Sequence, residues 1–173
     1  MNATSQTRRR KIVREAEGYL ELGLPKHALH ALERLGTPAN FDVDALFLWG
    51  EGLRAQERPF EALVPLKRAV RLAPDDIRIR VALGWCYKRT GRLDLAIRSI
   101  RRAIKVEQDD ALLYYNLACY LSLAGQKSRA IKHLSRALTI DPFYRKLVET
   151  ESDFDPIRAD PAFQAACQPD AAG

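Results

Sequence analysis

The chain repeats itself every 34 residues, and a period of that size restricts it to one broad class of fold. The step links Gly50, Gly84 and Ala118, and it links Ala62, Ala96 and Ala130. It also links Ala69, Ala103 and Ala137, and runs from Pro74 through Gln108 to Pro142. A fixed step in this range marks an array of small supersecondary units rather than one globular core. Each unit is too small to bury its own apolar face, so neighbours must stack, and arrays of this kind present surfaces to partners.

Four frames follow: 9–42, 43–76, 77–110 and 111–144. Residues 1–8 precede them as a flexible basic arm, and 145–173 follow as short capping helices with an acidic tail. Each frame splits into two helical stretches. Asp75-Asp76 and Asp109-Asp110 open the first helices of the third and fourth frames, where a carboxylate accepts from free backbone N–H groups. Gly91 and Gly125 close those helices, glycine being the residue that best takes the left-handed conformation at a helix end. Pro25 and Pro59 start the second helices of the first two frames, where a missing N–H has no partner to lose.

Packing explains the period. Ala28, Ala62, Ala96 and Ala130 recur in the second helices and leave room for a close crossing. Ala16, Gly50, Gly84 and Ala118 do the same in the first helices, while Leu32, Leu66, Ile100 and Leu134 fill the remaining space.

These residues resemble the tetratricopeptide repeat. The third frame carries Leu83-Gly84-x-x-Tyr87…Gly91…Ala96…Ala103, and the fourth carries Leu117-Ala118-x-x-Leu121…Gly125…Ala130…Ala137…Pro142. The match covers residues 9–144 and is weakest in the first frame, where Glu15-Ala16 replaces Leu-Gly. The early Trp of the pattern is replaced by Ile12, Leu46, Arg80 and Tyr114. The resemblance implies an all-α, right-handed superhelical solenoid of four helix-turn-helix units with a short C-terminal cap. Phe154, Ile157 and Phe163 are placed to seal its last apolar face.

On each first helix a stripe with spacing three, four, three lies opposite the packing residues. It reads Asp44, Phe47, Glu51, Arg54, then Arg78, Val81, Trp85, Lys88, then Leu112, Tyr115, Cys119, Ser122. The resemblance implies that this stripe lines a concave peptide groove. The candidate contacts are Phe47, Arg54, Arg78, Trp85, Lys88, Arg89, Tyr115 and Asn116, since aromatic and arginine side chains dominate binding hot spots. The expected partner is a protein or peptide, an acidic segment with an apolar anchor. The Lys/Asn set with which some family members grip a terminal carboxylate is not repeated here; Val13, Arg14, Glu17, Leu48 and Glu51 stand instead. The acidic tail, opposite in charge to the groove, is a further candidate occupant.

A second candidate face is basic. Arg68, Arg102 and Arg136 are one period apart on the second helices, with Arg98, Lys105 and Lys132 beside them. Residues 77–110 hold nine Lys/Arg against four Asp/Glu, a net +5, and 111–144 hold four against one, a net +3. Such a ladder on a convex face attracts nucleic acid or another polyanion, but no aromatics are interleaved with it for base stacking. It is the alternative to the peptide groove.

Other classes are disfavoured. No nucleophile triad, phosphate-binding loop, dinucleotide turn or metal-ligand spacing occurs, so neither catalysis nor a cofactor is expected. His27 and His30 lack an acidic or cysteine companion, so no metal site is expected. No apolar run approaches the ~18 residues that cross a bilayer. The opening MNATSQTRRR lacks a signal-peptide core, and Cys86, Cys119 and Cys167 are scattered and odd in number. Together these lead to the expectation of a cytoplasmic protein.

Overall fold

The computed structural model describes residues 3–168. Those residues form ten α-helices and two short 3-10 turns, with no strand. Residues up to Thr90 and residues from Gly91 form two compact units, each described by itself below.

The first unit contains α1 (Ala3–Glu21), α2 (Pro25–Glu33), α3 (Val43–Ala55), α4 (Pro59–Leu72) and α5 (Ile77–Arg89), with a 3-10 turn at Pro38–Asn40. The N-terminal stretch departs from the expected flexible arm. Residues 3–8 are the opening turns of α1, because no glycine or proline breaks the chain before Gly18. One turn on, Arg9 donates to the Asp42 carboxylate at 2.6 Å and ties α1 to the start of α3. Asp42 caps α3 through the Ala45 amide, and Asp76 caps α5 through the amides of Arg78 and Ile79. Pro25 and Pro59 open α2 and α4 as expected.

Close crossing between α3 and α4 needs the glycine at position 50. A Cβ built there would stand 2.5 Å from Leu66 Cγ, inside any real contact distance, and one built at Gly52 would stand 2.7 Å from Leu29 Cδ2. Leu32, Leu46, Leu66 and Ile79 then fill the interior, all essentially excluded from solvent.

The second unit contains α6 (Leu93–Val106), α7 (Ala111–Leu123), α8 (Lys127–Ile140), α9 (Tyr144–Thr150) and α10 (Pro161–Cys167), with a 3-10 turn at Ser152–Ile157. Asp110 caps α7 by accepting from Leu112 N; its neighbour Asp109 instead pairs with Arg136 at 2.8 Å. The small residues Ala96, Ala118 and Ala130 are fully buried, as their spacing predicts.

The segment after residue 144 closes this unit. Phe154, Ile157 and Phe163 are buried, and Phe154 packs edge-on to Tyr115 at 5.7 Å and against Phe163 at 5.5 Å. Arg158 knots the cap by donating to the carbonyls of Val148, Glu149 and Glu151, and Lys127 of α8 bridges to Asp160 at 2.6 Å.

Candidate functional site

In the first unit the first-helix stripe assembles around two half-buried rings. Phe47 on α3 and Trp85 on α5 each rest one edge on the hydrophobic core. Guanidinium groups lie over part of their remaining surface. Arg78 lies over Phe47 with its Cζ 4.9 Å from the ring centre. Arg54 and Arg89 both lie over Trp85, at 5.3 and 5.5 Å. A guanidinium over an aromatic face gains from the ring quadrupole, about 0.5–1 kcal/mol where water still reaches it.

Each arginine is held by carboxylates. Arg54 makes a two-point pair with Glu51, both bonds at 2.8 Å. Arg78 bonds Asp76 at 2.7 Å and approaches Asp44 at 3.5 Å. Arg89 pairs with Glu57 at 2.7 Å. The hydrogen bond from Arg78 holds the Asp76 carboxyl below its ordinary range, against the opposing push of partial burial. The stripe's own Asp44 and Glu51 pair with Arg78 and Arg54, and Asp76 and Glu57 from outside it pair with Arg78 and Arg89, so the surface is one of paired charges. Lys88 is half-buried on the same helix.

Glu57 escaped sequence reasoning. The three glycines Gly23, Gly91 and Gly125 have φ of 70°, 74° and 69°, and Glu57 sits in the same periodic position with φ 56°. The signal was legible as a gap in the glycine series at one step of the repeat. A carboxylate replaces glycine where the backbone is left-handed, and that carboxylate is the one that holds Arg89.

Tyr115 requires a correction. It was expected as an exposed aromatic of the stripe, but it is only 6% exposed. Tyr144 packs on it at 4.9 Å and Phe154 at 5.7 Å, so the C-terminal cap covers the fourth-frame part of the stripe. Cys119 and Ser122, the next stripe positions, are buried with it. Burial pushes the Tyr115 phenol well above its ordinary value. Among the described residues of the tail, the segment carrying Tyr144 and Phe154 is thus a structural cap on α7. Asn116 is half-buried on that helix, a place along from Tyr115.

The cap also brings Cys119 Sγ and the carboxylates of Glu151 and Asp153 within 4.8 Å of one another, a grouping no sequence spacing announced. Glu151 already has a local task there, accepting from the Asp153 amide at 3.1 Å.

The residues of the basic ladder fall into two kinds. Arg68 in the first unit donates to the Pro38 carbonyl at 3.0 Å, tying α4 to the preceding turn. In the second unit Arg98, Arg102 and Lys105 on α6, and Lys132 on α8, are exposed, while Arg136 is bonded to Asp109. The expectation that no aromatic interleaves with these cations is also corrected. Tyr114 of α7 stacks on His133 at 5.9 Å and 24°, and Arg136 lies over the Tyr114 ring at 5.9 Å. The ring comes from a different helix, so no one-dimensional pattern along α6 or α8 shows it.

In the first unit the corresponding surface between α2 and α4 is an apolar cleft of about 650 Å³. Leu29, Trp49, Leu53 and Val64 line it, with Glu33, Arg58, Glu61 and Arg68 among its polar neighbours. No helix among the described residues is long and apolar enough to cross a membrane.

Family models described as tetratricopeptide repeat match residues 53–118 and 111–149. Among solved structures the chain is similar to YrrB, described as a TPR protein with an unusual peptide-binding site. Identity is 25%, covering 78% of this chain and 69% of that one, with a TM-score of 0.69. It is also similar to MamA of AMB-1 (21% identity, 92% of this chain and 97% of that one, TM-score 0.72). MamA 41-end from Desulfovibrio magneticus RS-1 is 20% identical over 84% of this chain and 80% of that one, with a TM-score of 0.69. The likeness to MamA shows the fold alone. No curated protein sequence matches the chain.

Proposed function

The chain belongs to the tetratricopeptide repeat family, and from that premise we propose that it is a protein-interaction scaffold without catalytic activity, whose ligand is a peptide segment held on the first-helix stripe of the first unit. The observation that carries this reading is the set of arginine–aromatic pairs: Arg78 on Phe47, and Arg54 with Arg89 on Trp85. Rings half-anchored in the core are stiff, and planar guanidinium groups already oriented over them lose little freedom on binding. The described peptide-binding site of YrrB supports peptide as the ligand class.

The ligand is a segment with an apolar anchor and a neighbouring carboxylate. The Arg78–Asp44 and Arg89–Glu57 pairs have both side chains more than half exposed. Exposed pairs of this kind contribute about 0–1 kcal/mol, so a ligand carboxylate exchanges for them at little cost. The two-point Arg54–Glu51 pair is better shielded, with side chains 34% and 19% exposed, and stays as the floor. The apolar anchor then lies against Trp85 and Phe47, beside Lys88.

The test is a peptide-display selection on wild-type protein, followed by affinity measurement on Arg78→Glu/Arg89→Glu. Both side chains are exposed, so the variant is expected to fold. Selected peptides are expected to carry an acidic residue beside an apolar one and to bind the variant at least tenfold more weakly. Equal affinity for both proteins would remove the stripe as the site.

A further inference from the structure

Independently of the peptide reading, the second unit carries a surface that it does not use. Helices α6 and α8 are 14 residues each, about 21 Å long. Between them they hold eight lysine and arginine side chains (Arg98, Arg101, Arg102, Lys105, Lys127, Arg129, Lys132, Arg136) and one acid, Asp94. The corresponding helices of the first unit, α2 and α4, hold four (Lys26, Lys67, Arg68, Arg71) against two acids, Glu33 and Glu61. The excess is specific to the second unit.

The cations converge on an aromatic pair. His133 of α8 stacks on Tyr114 of α7, with Arg136 over the same ring. Every charged group acting on His133 is a cation: Arg101 from α6, and Lys132 and Arg129 from α8. Partial burial, with these cations adding to it, holds its imidazole below the ordinary value. The groups facing His133 are thus Arg101 on α6, Tyr114 on α7, and Arg129, Lys132 and Arg136 on α8; Arg136 in turn pairs with Asp109. Arg136 is paired with Asp109 and Lys127 with Asp160, but among the described residues the other six cations have no carboxylate partner, and crowding of this kind is relieved when an anion arrives.

We propose that the α6–α8 face binds the sugar-phosphate backbone of a single-stranded nucleic acid across Tyr114 and His133. Three features select this occupant over an acidic peptide or a lipid surface. Five of the eight cations are arginines (Arg98, Arg101, Arg102, Arg129, Arg136), whose planar fork fits phosphate oxygens at two points. On α6, Arg98, Arg102 and Lys105 follow at spacings of four and three residues, a continuous row along one helix side that suits a linear polyanion. Aromatic groups set among the cations offer a π surface to unstacked bases, which a peptide's carboxylates do not need.

The probe is a tetramethylrhodamine-labelled twelve-nucleotide oligouridylate, whose dye does not titrate near neutrality, read by anisotropy on the full chain. Uracil does not titrate between pH 5.5 and 7.5, so pH effects belong to the protein. Contact with about four phosphates predicts an affinity loss of about 50-fold between 50 and 200 mM salt, from a slope near −0.7 per phosphate. Arg101→Glu/Arg129→Glu/Lys132→Glu is expected to bind at least tenfold more weakly. Lys26→Glu/Lys67→Glu/Arg71→Glu makes the same charge change on exposed residues of the first unit and is expected to cost less than threefold. Binding is expected to strengthen as pH falls from 7.5 to 5.5, because protonated His133 adds a cation, and His133→Asn should flatten that dependence. Circular dichroism checks that each variant remains helical. Arg78→Glu/Arg89→Glu is expected to leave oligouridylate binding within threefold of wild type, which separates this proposal from the peptide groove. Absence of binding at 50 mM salt, or equal losses in the two triple variants, overturns it. So does tighter patch-dependent binding of oligoglutamate or phosphatidylserine vesicles.

Discussion

At the scale of single residues, Glu57 is where two demands meet. The helix-ending turn asks for a left-handed residue, which glycine meets without penalty, and the stripe above it asks for a carboxylate beside Arg89. An L-residue with a side chain in this conformation costs about 1–2 kcal/mol. Two substitutions separate the demands. Glu57→Ala and Glu57→Gly both remove the carboxylate, so their difference reports the backbone alone. Glu57→Gly is expected to be the more stable by about 1 kcal/mol in urea denaturation, and equal midpoints would show the turn to be unstrained. The thiols offer a second test at this scale. Burial pushes Cys86 up to about 12, and Cys119 is almost completely enclosed. Ellman's reagent at pH 8 is therefore expected to reach no more than Cys167 in the native protein and all three thiols in denaturant. Rapid native labelling of two or more would contradict the burial described above.

At the scale of helices, the crossing of α3 over α4 and the acidic caps are the sensitive points. Gly50→Ala improves helix propensity by about 1 kcal/mol but forces a methyl onto Leu66. Overpacking a full core costs about 1–3 kcal/mol, so the net expectation is a loss of about 1 kcal/mol, which a thermal melt reads as a drop of several degrees. An unchanged or higher midpoint would mean that the two helices separate freely. The caps set the acid limit. At Asp42 burial pushes the carboxyl up, but the Arg9 hydrogen bond and the Ala45 amide outweigh it, so its folded value is depressed. Asp76 is depressed by Arg78, against partial burial. A depressed carboxyl contributes stability that is present above its unfolded value, near 3.8, and is lost as pH falls through the lower folded value. Stability is therefore expected to hold down to about pH 4 and to decline below it, and Asp76→Asn should weaken that acid-side decline.

At the scale of the whole molecule, net charge hides what matters. The first ninety residues hold sixteen Lys/Arg against eleven Asp/Glu, 16 − 11 = +5, and the remainder twelve against eleven, 12 − 11 = +1. The nearly neutral part nevertheless has the stronger basic face, because its acids are concentrated in the cap. The cap is structural: Phe154→Ala is expected to destabilise the second unit by about 3–5 kcal/mol. Removing residues 151–173 should expose Cys119 to thiol reagents without strengthening peptide binding, and tighter binding on truncation would restore the tail as a competitor. The sequence by itself determined the repeat, the helix pairs, the proline and glycine punctuation and the sealing role of Phe154, Ile157 and Phe163. These are local or periodic properties, and a small residue or cap acts wherever it recurs. Tertiary structure alone decided which stripe residues stay accessible, that Asp44 and Glu57 meet Arg78 and Arg89 about one repeat away, and that Tyr114 enters the basic face. Each depends on residues far apart in sequence meeting across a helix packing, which no period within one helix encodes.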